Sequence, residues 1–147
     1  MNFIYNDGGR LAAGYKGTAR DCVCRSISII TGIPYQQVYK SLSEGTHSQR
    51  LTKNQKTKRT KSAANGINVK RKWFKDYMKS LGFTWIALMK VGEGCKVHLR
   101  KEELPEGRLV VQLSNHFTAV IDGVIHDNHD CSRGGTRCVY GYYILNK

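Results

Sequence analysis

The sequence predicts an α+β fold in which N-terminal helices pack against a C-terminal antiparallel sheet. Helical patterns occupy residues 21–43 and 71–82, whereas residues 84–145 hold short runs of β-branched and aromatic residues separated by turns. Because the helices come first and the strands follow, the order is typical of an α+β layer arrangement. The 147 residues fit one domain, 1–147, with a substantial core.

Each predicted helix has its own start and stop signals. TARDCVCRSISIITG offers Asp21 as the N-cap and Gly32 as the C-terminal stop. IPYQQVYKSL has Pro34 at a first helical position and an apolar stripe behind it. RKWFKDYMKSLGF repeats aromatic and apolar residues at helical spacing before Gly82, which predicts core packing.

Five short segments have the composition of strands: TWIALMKV, RLVVQLS, HFTAVID, VIHDN and VYGYYIL. Between the third and the fourth, Asp122-Gly123 is a strong signal for a two-residue hairpin turn. That turn sets Thr118 opposite Asp127, and faces alternate along each strand. One face is then predicted to carry His116, Thr118, Asp127 and His129, and the other Phe117, Ala119, His126 and Asn128. The carboxylate beside His116 is therefore Asp127 and not Asn128.

Positive charge is concentrated in one segment. The formal net charge is +13, and residues 45–75 hold ten Lys or Arg and no Asp or Glu. The segment lacks apolar periodicity through its first half, which predicts a flexible basic insertion at about residues 45–72. It is either a solvated loop or an arm for a polyanion such as nucleic acid, an acidic protein or a cell-envelope polymer. The candidate contacts are Arg50, Lys53, Lys56, Lys58, Arg59, Lys61, Lys70, Arg71 and Lys72.

The same segment has few aromatic residues among its lysines, so no stacking platform for single strands is expected within it. No apolar run approaches the length of a membrane span, and the first residues lack a basic-then-apolar signal pattern. Five cysteines, an odd number, favour reduced thiols. These features predict a soluble, cytoplasmic protein with no membrane partner.

A catalytic interpretation begins with Cys22. If Asp21 caps the first helix, Cys22 is the first helical residue, where the helix dipole favours a thiolate. The His116 imidazolium would lower its pKa further, and Asp127 would hold the tautomer of the ring. The pattern thus predicts a nucleophile on an early helix and a base and its orienting carboxylate on successive strands.

These two segments resemble a known family. DCVCRSISIITG resembles the nucleophile helix of papain-like cysteine peptidases, especially the bacterial double-glycine leader peptidases. HFTAVIDGVIHD resembles their histidine strand, tight turn and aspartate strand, and the match also resembles small phage and bacterial proteins. The resemblance implies that Cys22 is the nucleophile, His116 the general base and Asp127 the orienting residue. It further implies cofactor-free attack on an amide, isopeptide or thioester bond of a peptide or protein, in the host cytoplasm if the gene is phage-encoded.

The chain departs from that family at the oxyanion hole. The family places a glutamine a few residues before the cysteine, whereas AGYKGTARDC and everything before it contain none. The Cys22 backbone N–H, with Asn6 or Thr18, is the expected substitute, and one such donor can be worth about 10²–10³ in turnover.

Other interpretations remain open. Cys24 points about 200° away from Cys22 on a helix and is expected to be a buried thiol. The protein could instead be a phage or bacterial binding or inhibitor protein that uses the basic arm and keeps a relict triad. It could also be a zinc-stabilised module, because sulfur and nitrogen ligands suit tetrahedral zinc. The ligands of such a site would be Cys95, His98, Cys131 and Cys138.

Overall fold

The computed structural model describes residues 1–15, 20–48, 67–90 and 92–146. They form three helices, six strands and a short 3-10 turn at Lys101–Glu103, which confirms the α+β class. The helices are α1 (Cys22–Thr31), α2 (Tyr35–Ser48) and α3 (Lys72–Ser80). The strands are β1 (Asn2–Tyr5), β2 (Phe83–Ala87), β3 (Arg108–Leu113), β4 (His116–Ile121), β5 (Val124–Asp127) and β6 (Gly141–Leu145).

The sheet is mixed, so the prediction of an antiparallel sheet was wrong for one strand. Its order is β1-β5-β4-β3-β6-β2, and β1 runs parallel to β5 while the other neighbours are antiparallel. Sequence reasoning missed β1 because four mostly exposed residues are too few for a periodic pattern. Because β1 pairs with β5, Asn6 at the end of β1 lies beside Asp127. The Asn6 N–H donates to the Asp127 carbonyl at 2.7 Å.

Both faces of the sheet are covered. The three helices, with Val110, Phe117 and Ala119 of the sheet, enclose one apolar core. On the other face, Val120 and Ile125 pack with residues of the later loops in a second core, whose loop members are Leu99, Leu104, Cys131 and Val139. Such two-sided burial holds the central strands β3 and β4 rigidly in place.

The position of α1 is fixed at its C-terminal end. Gly32 takes a left-handed conformation, φ 77°, and its N–H bonds back to the Ser28 carbonyl, as expected of a glycine stop. Arg108 of β3 donates to the carbonyls of Ile30 at 2.7 Å and Ile29 at 3.0 Å, which satisfies acceptors that the helix itself leaves unpaired. The C-terminal end of α1 is thereby anchored to β3.

The helices extend into the predicted basic insertion. α2 continues to Ser48 and α3 begins at Lys72, so residues 45–48 and Lys72, at the two ends of the predicted insertion, are helical. Lys70 and Arg71 precede α3, and Lys72 pairs with Asp76 at 2.7 Å. The remaining predicted polyanion contacts, Arg50, Lys53, Lys56, Lys58, Arg59 and Lys61, lie outside the described residues.

The expectation of five reduced thiols was wrong. Cys95 and Cys138 form a disulfide, with Cα atoms 5.8 Å apart. The pairing of residues 97–99 with 137–139, through the bridge between His98 and Cys138, brings the two cysteines together across 43 residues of chain. The disulfide removes the cysteine-based argument for a reducing compartment. Among the helices that the structure describes, none has the length and apolar character needed to cross a membrane.

The same disulfide overturns the zinc hypothesis. Two of its four ligands, Cys95 and Cys138, are bonded to each other and hold no free thiolate. His98 contacts Glu103 instead, at 3.3 Å, and Cys131 lies in the second core. The four residues therefore do not form a metal site.

Candidate active site

The hairpin of β4 and β5 has the predicted turn and register. Asp122 and Gly123 both have positive φ, 48° and 79°, as a two-residue type I′ turn requires. Ala119 pairs with His126 and Ile121 with Val124. His116 begins β4 and Asp127 ends β5, so both lie at the same end of the sheet.

Asp127, and not Asn128, holds His116. The His116 Nε2 lies 2.8 Å from Asp127 Oδ2, and the Thr118 hydroxyl donates to the same oxygen at 2.8 Å. Asn128 contributes its backbone N–H, which donates to Asp127 Oδ1 at 2.7 Å, while its side chain turns to His129. The histidine ring is therefore oriented by a carboxylate that is itself fully hydrogen-bonded.

The first residue of α1 completes the group. Cys22 begins α1, which packs on β4, and the side chain of His116 and the backbone N–H of Phe117 both lower the pKa of its thiol. Phe117 and Ala119 point into the core that contains α1, so His116 alternates away from that core. Because His116 is the first residue of its strand, α1 can still reach the ring at the end of the sheet.

The electrostatics of the group favour a thiolate and an imidazolium. Burial opposes ionisation of Cys22, but the His116 contact, the Phe117 N–H and the nearby Arg25 charge lower its pKa overall. Burial also disfavours charge on His116, yet hydrogen bonds to Asp127, Cys131 and Cys22 raise its pKa to about 11. At neutral pH the His116 ring is therefore protonated, and its charge favours the thiolate form of Cys22.

Asp127 remains a carboxylate under the same conditions. Burial alone would raise its pKa, but His116, Thr118 and the Asn128 N–H together lower it. Its second oxygen also faces Arg25, whose guanidinium lies 3.5 Å from Oδ1. The negative charge of Asp127 is thus maintained next to the His116 ring at neutral pH.

A buried ionic network lies behind the triad. Asp21, 1% exposed, was predicted to cap α1, but its side chain makes no capping hydrogen bond. It accepts instead from Arg25, from the Tyr35 hydroxyl at 2.5 Å and from Arg10 at 3.4 Å. A carboxylate this deeply buried is stabilised far more by a cation than by a backbone N–H. Arg25 then links it to Asp127.

Sequence reasoning missed Arg25, although a signal was present. Asp21 and Arg25 are separated by four positions, the spacing at which opposite charges meet on a helix. What the spacing cannot show is that Arg25 is only 5% exposed and reaches a carboxylate 102 residues later. The role of Thr118 was also missed, although the pairing had set it on the correct face.

The remaining cysteines differ sharply from Cys22. Cys24 is 0% exposed and its sulfur faces the Tyr35 carbonyl at 3.8 Å; burial raises its pKa to about 12. The prediction of a buried thiol is thereby confirmed. Cys131, also buried, belongs to the second core and places its sulfur within 4.8 Å of a ring nitrogen of His116, a proximity that no sequence pattern indicated.

Of the predicted oxyanion donors, Asn6 lies at the triad end of the sheet. Its Oδ1 accepts from the Gly8 N–H at 2.8 Å, which leaves its amide N–H groups for another acceptor. Thr18 lies outside the described residues. Since the Asp21 side chain does not cap α1, it leaves the N–H groups at the helix start to other acceptors.

Across the described part of the chain, one set of side chains has the proximity of metal ligands. A nitrogen of His116, an oxygen of Asp127 and the sulfur of Cys131 lie within 4.8 Å of one another. However, the His116 and Asp127 atoms are hydrogen-bonded to each other, and the Arg25 cation already neutralises the carboxylate. The set therefore fits an acid–base pair better than a divalent cation.

Comparison with protein-family models, with curated proteins and with solved structures yielded no match for this chain.

Proposed function

We propose that the protein is a cysteine hydrolase or acyltransferase of papain-like architecture that acts on an amide, isopeptide or thioester bond of a peptide or protein. The observation that carries the proposal is the placement of Cys22 at the start of α1, where His116 lowers the pKa of its thiol, together with the 2.8 Å hydrogen bond between His116 Nε2 and the Asp127 carboxylate. A thiol beside a base that is oriented by a third group is the signature of an activated nucleophile.

The reaction follows from the charges. The Cys22 thiolate attacks the carbonyl carbon, and the carbonyl electron pair moves to oxygen. When the tetrahedral intermediate collapses, the leaving group takes the proton of His116 and a thioester remains on Cys22. Water, or an acceptor amine in acyl transfer, then gives a proton to His116 as it attacks the thioester, and the thiolate–imidazolium pair is regenerated.

The developing oxyanion requires donors that do not depend on a glutamine. The Cys22 backbone N–H at the start of α1 and the amide of Asn6 are the candidates, since β1 brings Asn6 to the same end of the sheet. Donors fixed by a helix start and a hydrogen-bonded strand end need no reorganisation during the reaction.

Buried ionic contacts support the proposal further. Asp21, Arg25 and Asp127 are nearly inaccessible, and burying charged groups is costly unless they are paired. Of these three residues, Asp127 contacts the His116 ring, and its fixed negative charge stabilises the imidazolium. The pKa of His116 is strongly raised and that of Cys22 is lowered, and paired shifts of this kind are typical of a functional site.

An acyl-enzyme trap tests the proposal without knowledge of the substrate. Incubation with p-nitrophenyl acetate should release p-nitrophenolate and leave an acetyl group on Cys22, detected by peptide mass spectrometry. Cys22→Ser should lose the adduct, whereas Cys24→Ala, which removes the thiol two residues away, should keep it. An adduct that forms equally on the other cysteines, or survives Cys22→Ser, would contradict the proposal.

A further inference from the structure

A second concave region lies far from the triad along the sheet order. It is formed by α3 and the β2–β6 edge and has a volume of about 530 Å³, within the range of ligand sites. Its walls combine three lysines with aromatic and polar side chains: Lys70, Lys75, Lys79, Trp85, Gln112 and Tyr143. We call it the α3 cleft.

The lysines of the α3 cleft give it an uncompensated positive charge. Lys75 and Lys79 are exposed and lie one turn apart on α3, where like charges repel. Neither is bonded to a carboxylate within the described ranges, although Lys72 on the same helix is held by Asp76 at 2.7 Å. An anion bound between them would remove that repulsion.

Trp85 supplies a flat surface beside these lysines. The indole lies over Gly141, where an added Cβ would come within 2.5 Å of the ring, and it contacts Tyr143 with centroids 4.8 Å apart. One side of the ring is thus held by β6 while 39% of the residue remains exposed. A tryptophan fixed in orientation but open to solvent suits stacking of a planar ring.

We propose that the α3 cleft binds single-stranded nucleic acid, with a base stacked on Trp85 and phosphates on Lys75, Lys79 and Lys70. The pairing of an aromatic platform with flanking cations is the general solution for single-strand binding without sequence preference. An acidic peptide would use the lysines but leave the indole without a planar partner. Lys70, Lys75 and Lys79 line the cleft and no Asp or Glu lines it with them, so an extended anion with several phosphates suits it better than a single nucleotide.

The test measures the affinity of the full-length chain for a fluorescein-labelled oligothymidylate by anisotropy across a salt series. Trp85→Ala should weaken binding about 5- to 150-fold, whereas Trp85→Phe, which keeps a ring, should recover most of the loss. Lys75→Gln with Lys79→Gln should reduce the salt slope by about 1.4, since each phosphate contact to a single strand contributes about 0.7. Lys40→Gln with Lys90→Gln removes the same charge from exposed positions outside the cleft and should change the slope little.

Two competitors identify the chemistry. Inorganic polyphosphate should compete less well than unlabelled oligothymidylate of equal charge, and Trp85→Ala should abolish that difference. Polyglutamate that competes as well as the oligonucleotide would overturn the proposal in favour of an acidic protein. Equal affinities of Trp85→Ala, Trp85→Phe and wild type, with each variant folded by circular dichroism, would also overturn it. Acylation of Cys22 should be unchanged in all these variants, so this proposal and the proposed function fail separately.

Discussion

Arg25 at the candidate active site and Lys75 in the α3 cleft are both helical cations, but their surroundings are opposite. Arg25 is nearly buried and contacts the carboxylates of Asp21 and Asp127. Lys75 is exposed, and the described residues give it no carboxylate. The contrast separates two uses of charge: paired and buried charges set the protonation of a reactive centre, whereas unpaired surface charges attract an external anion.

Removing the proposed base, His116, should have the largest effect on the reactivity of the candidate active site. His116→Ala should slow acylation of Cys22 by p-nitrophenyl acetate on the order of 10⁴-fold or more, because the thiol loses its proton acceptor. His129→Ala is the matched control, since its ring lies 5.1 Å from that of His116 yet is exposed and bonded to Asn128. Equal losses in both variants would mean that His116 has no special role.

Neutralising the carboxylate of Asp127 should have the second-largest effect on the acylation rate. Asp127→Asn keeps the shape of the side chain but removes the charge that stabilises the imidazolium, and acylation should slow by about 10²–10⁴-fold. Asn128→Ala should change the rate little, because only its backbone contacts Asp127. If Asn128→Ala were the more damaging change, the register of the hairpin would be refuted.

Breaking the buried network should cost stability. Arg25→Met leaves Asp21 and Asp127 short of a cation, and the free energy of unfolding in urea should fall by about 3–5 kcal/mol. Lys72→Met breaks the exposed pair with Asp76 and should produce no measurable change. If the two variants had similar midpoints of urea unfolding, buried and exposed ion pairs would contribute equally to stability, contrary to this prediction.

The smallest predicted effect concerns Thr118. Thr118→Val is nearly isosteric and removes one hydroxyl donor from Asp127 Oδ2, while His116 and the Asn128 N–H remain. The free energy of unfolding should fall by about 1.5–3 kcal/mol, typical for a hydrogen bond to a charged group. Acylation should slow less than in Asp127→Asn, and the reverse order would contradict the assigned roles.

Local signals predicted the parts of the site that lie within one segment. The Asp122-Gly123 turn determines the register of its hairpin, and that register alone selects Asp127 over Asn128. The Gly32 stop likewise determines where α1 ends, and the start of α1 at Cys22 follows from the pattern before it.

The remaining contacts join residues that are far apart in sequence, and no local pattern encodes them. Asp21 meets Arg10 and Tyr35 instead of the helix N–H groups because the fold buries it. Cys131 reaches His116, and Cys95 pairs with Cys138, through loops without periodicity. A four-residue strand such as β1 is likewise too short for its partner β5 to be identified from sequence.

The central claim is that Cys22 is a thiolate beside an imidazolium, and the pH dependence of its alkylation tests it most directly. The pKa of Cys22 is lowered and that of His116 is raised to about 11, so the ion pair exists from the Cys22 pKa upward until His116 loses its proton. The iodoacetamide rate at Cys22, measured by mass spectrometry on folded protein, should therefore reach half of its plateau at a pH below the pKa of an ordinary thiol, about 8.5. Cys24, with a pKa raised to about 12, should stay unlabelled. A Cys22 rate whose midpoint lies at or above about 8.5, as for an unperturbed thiol, would contradict the account.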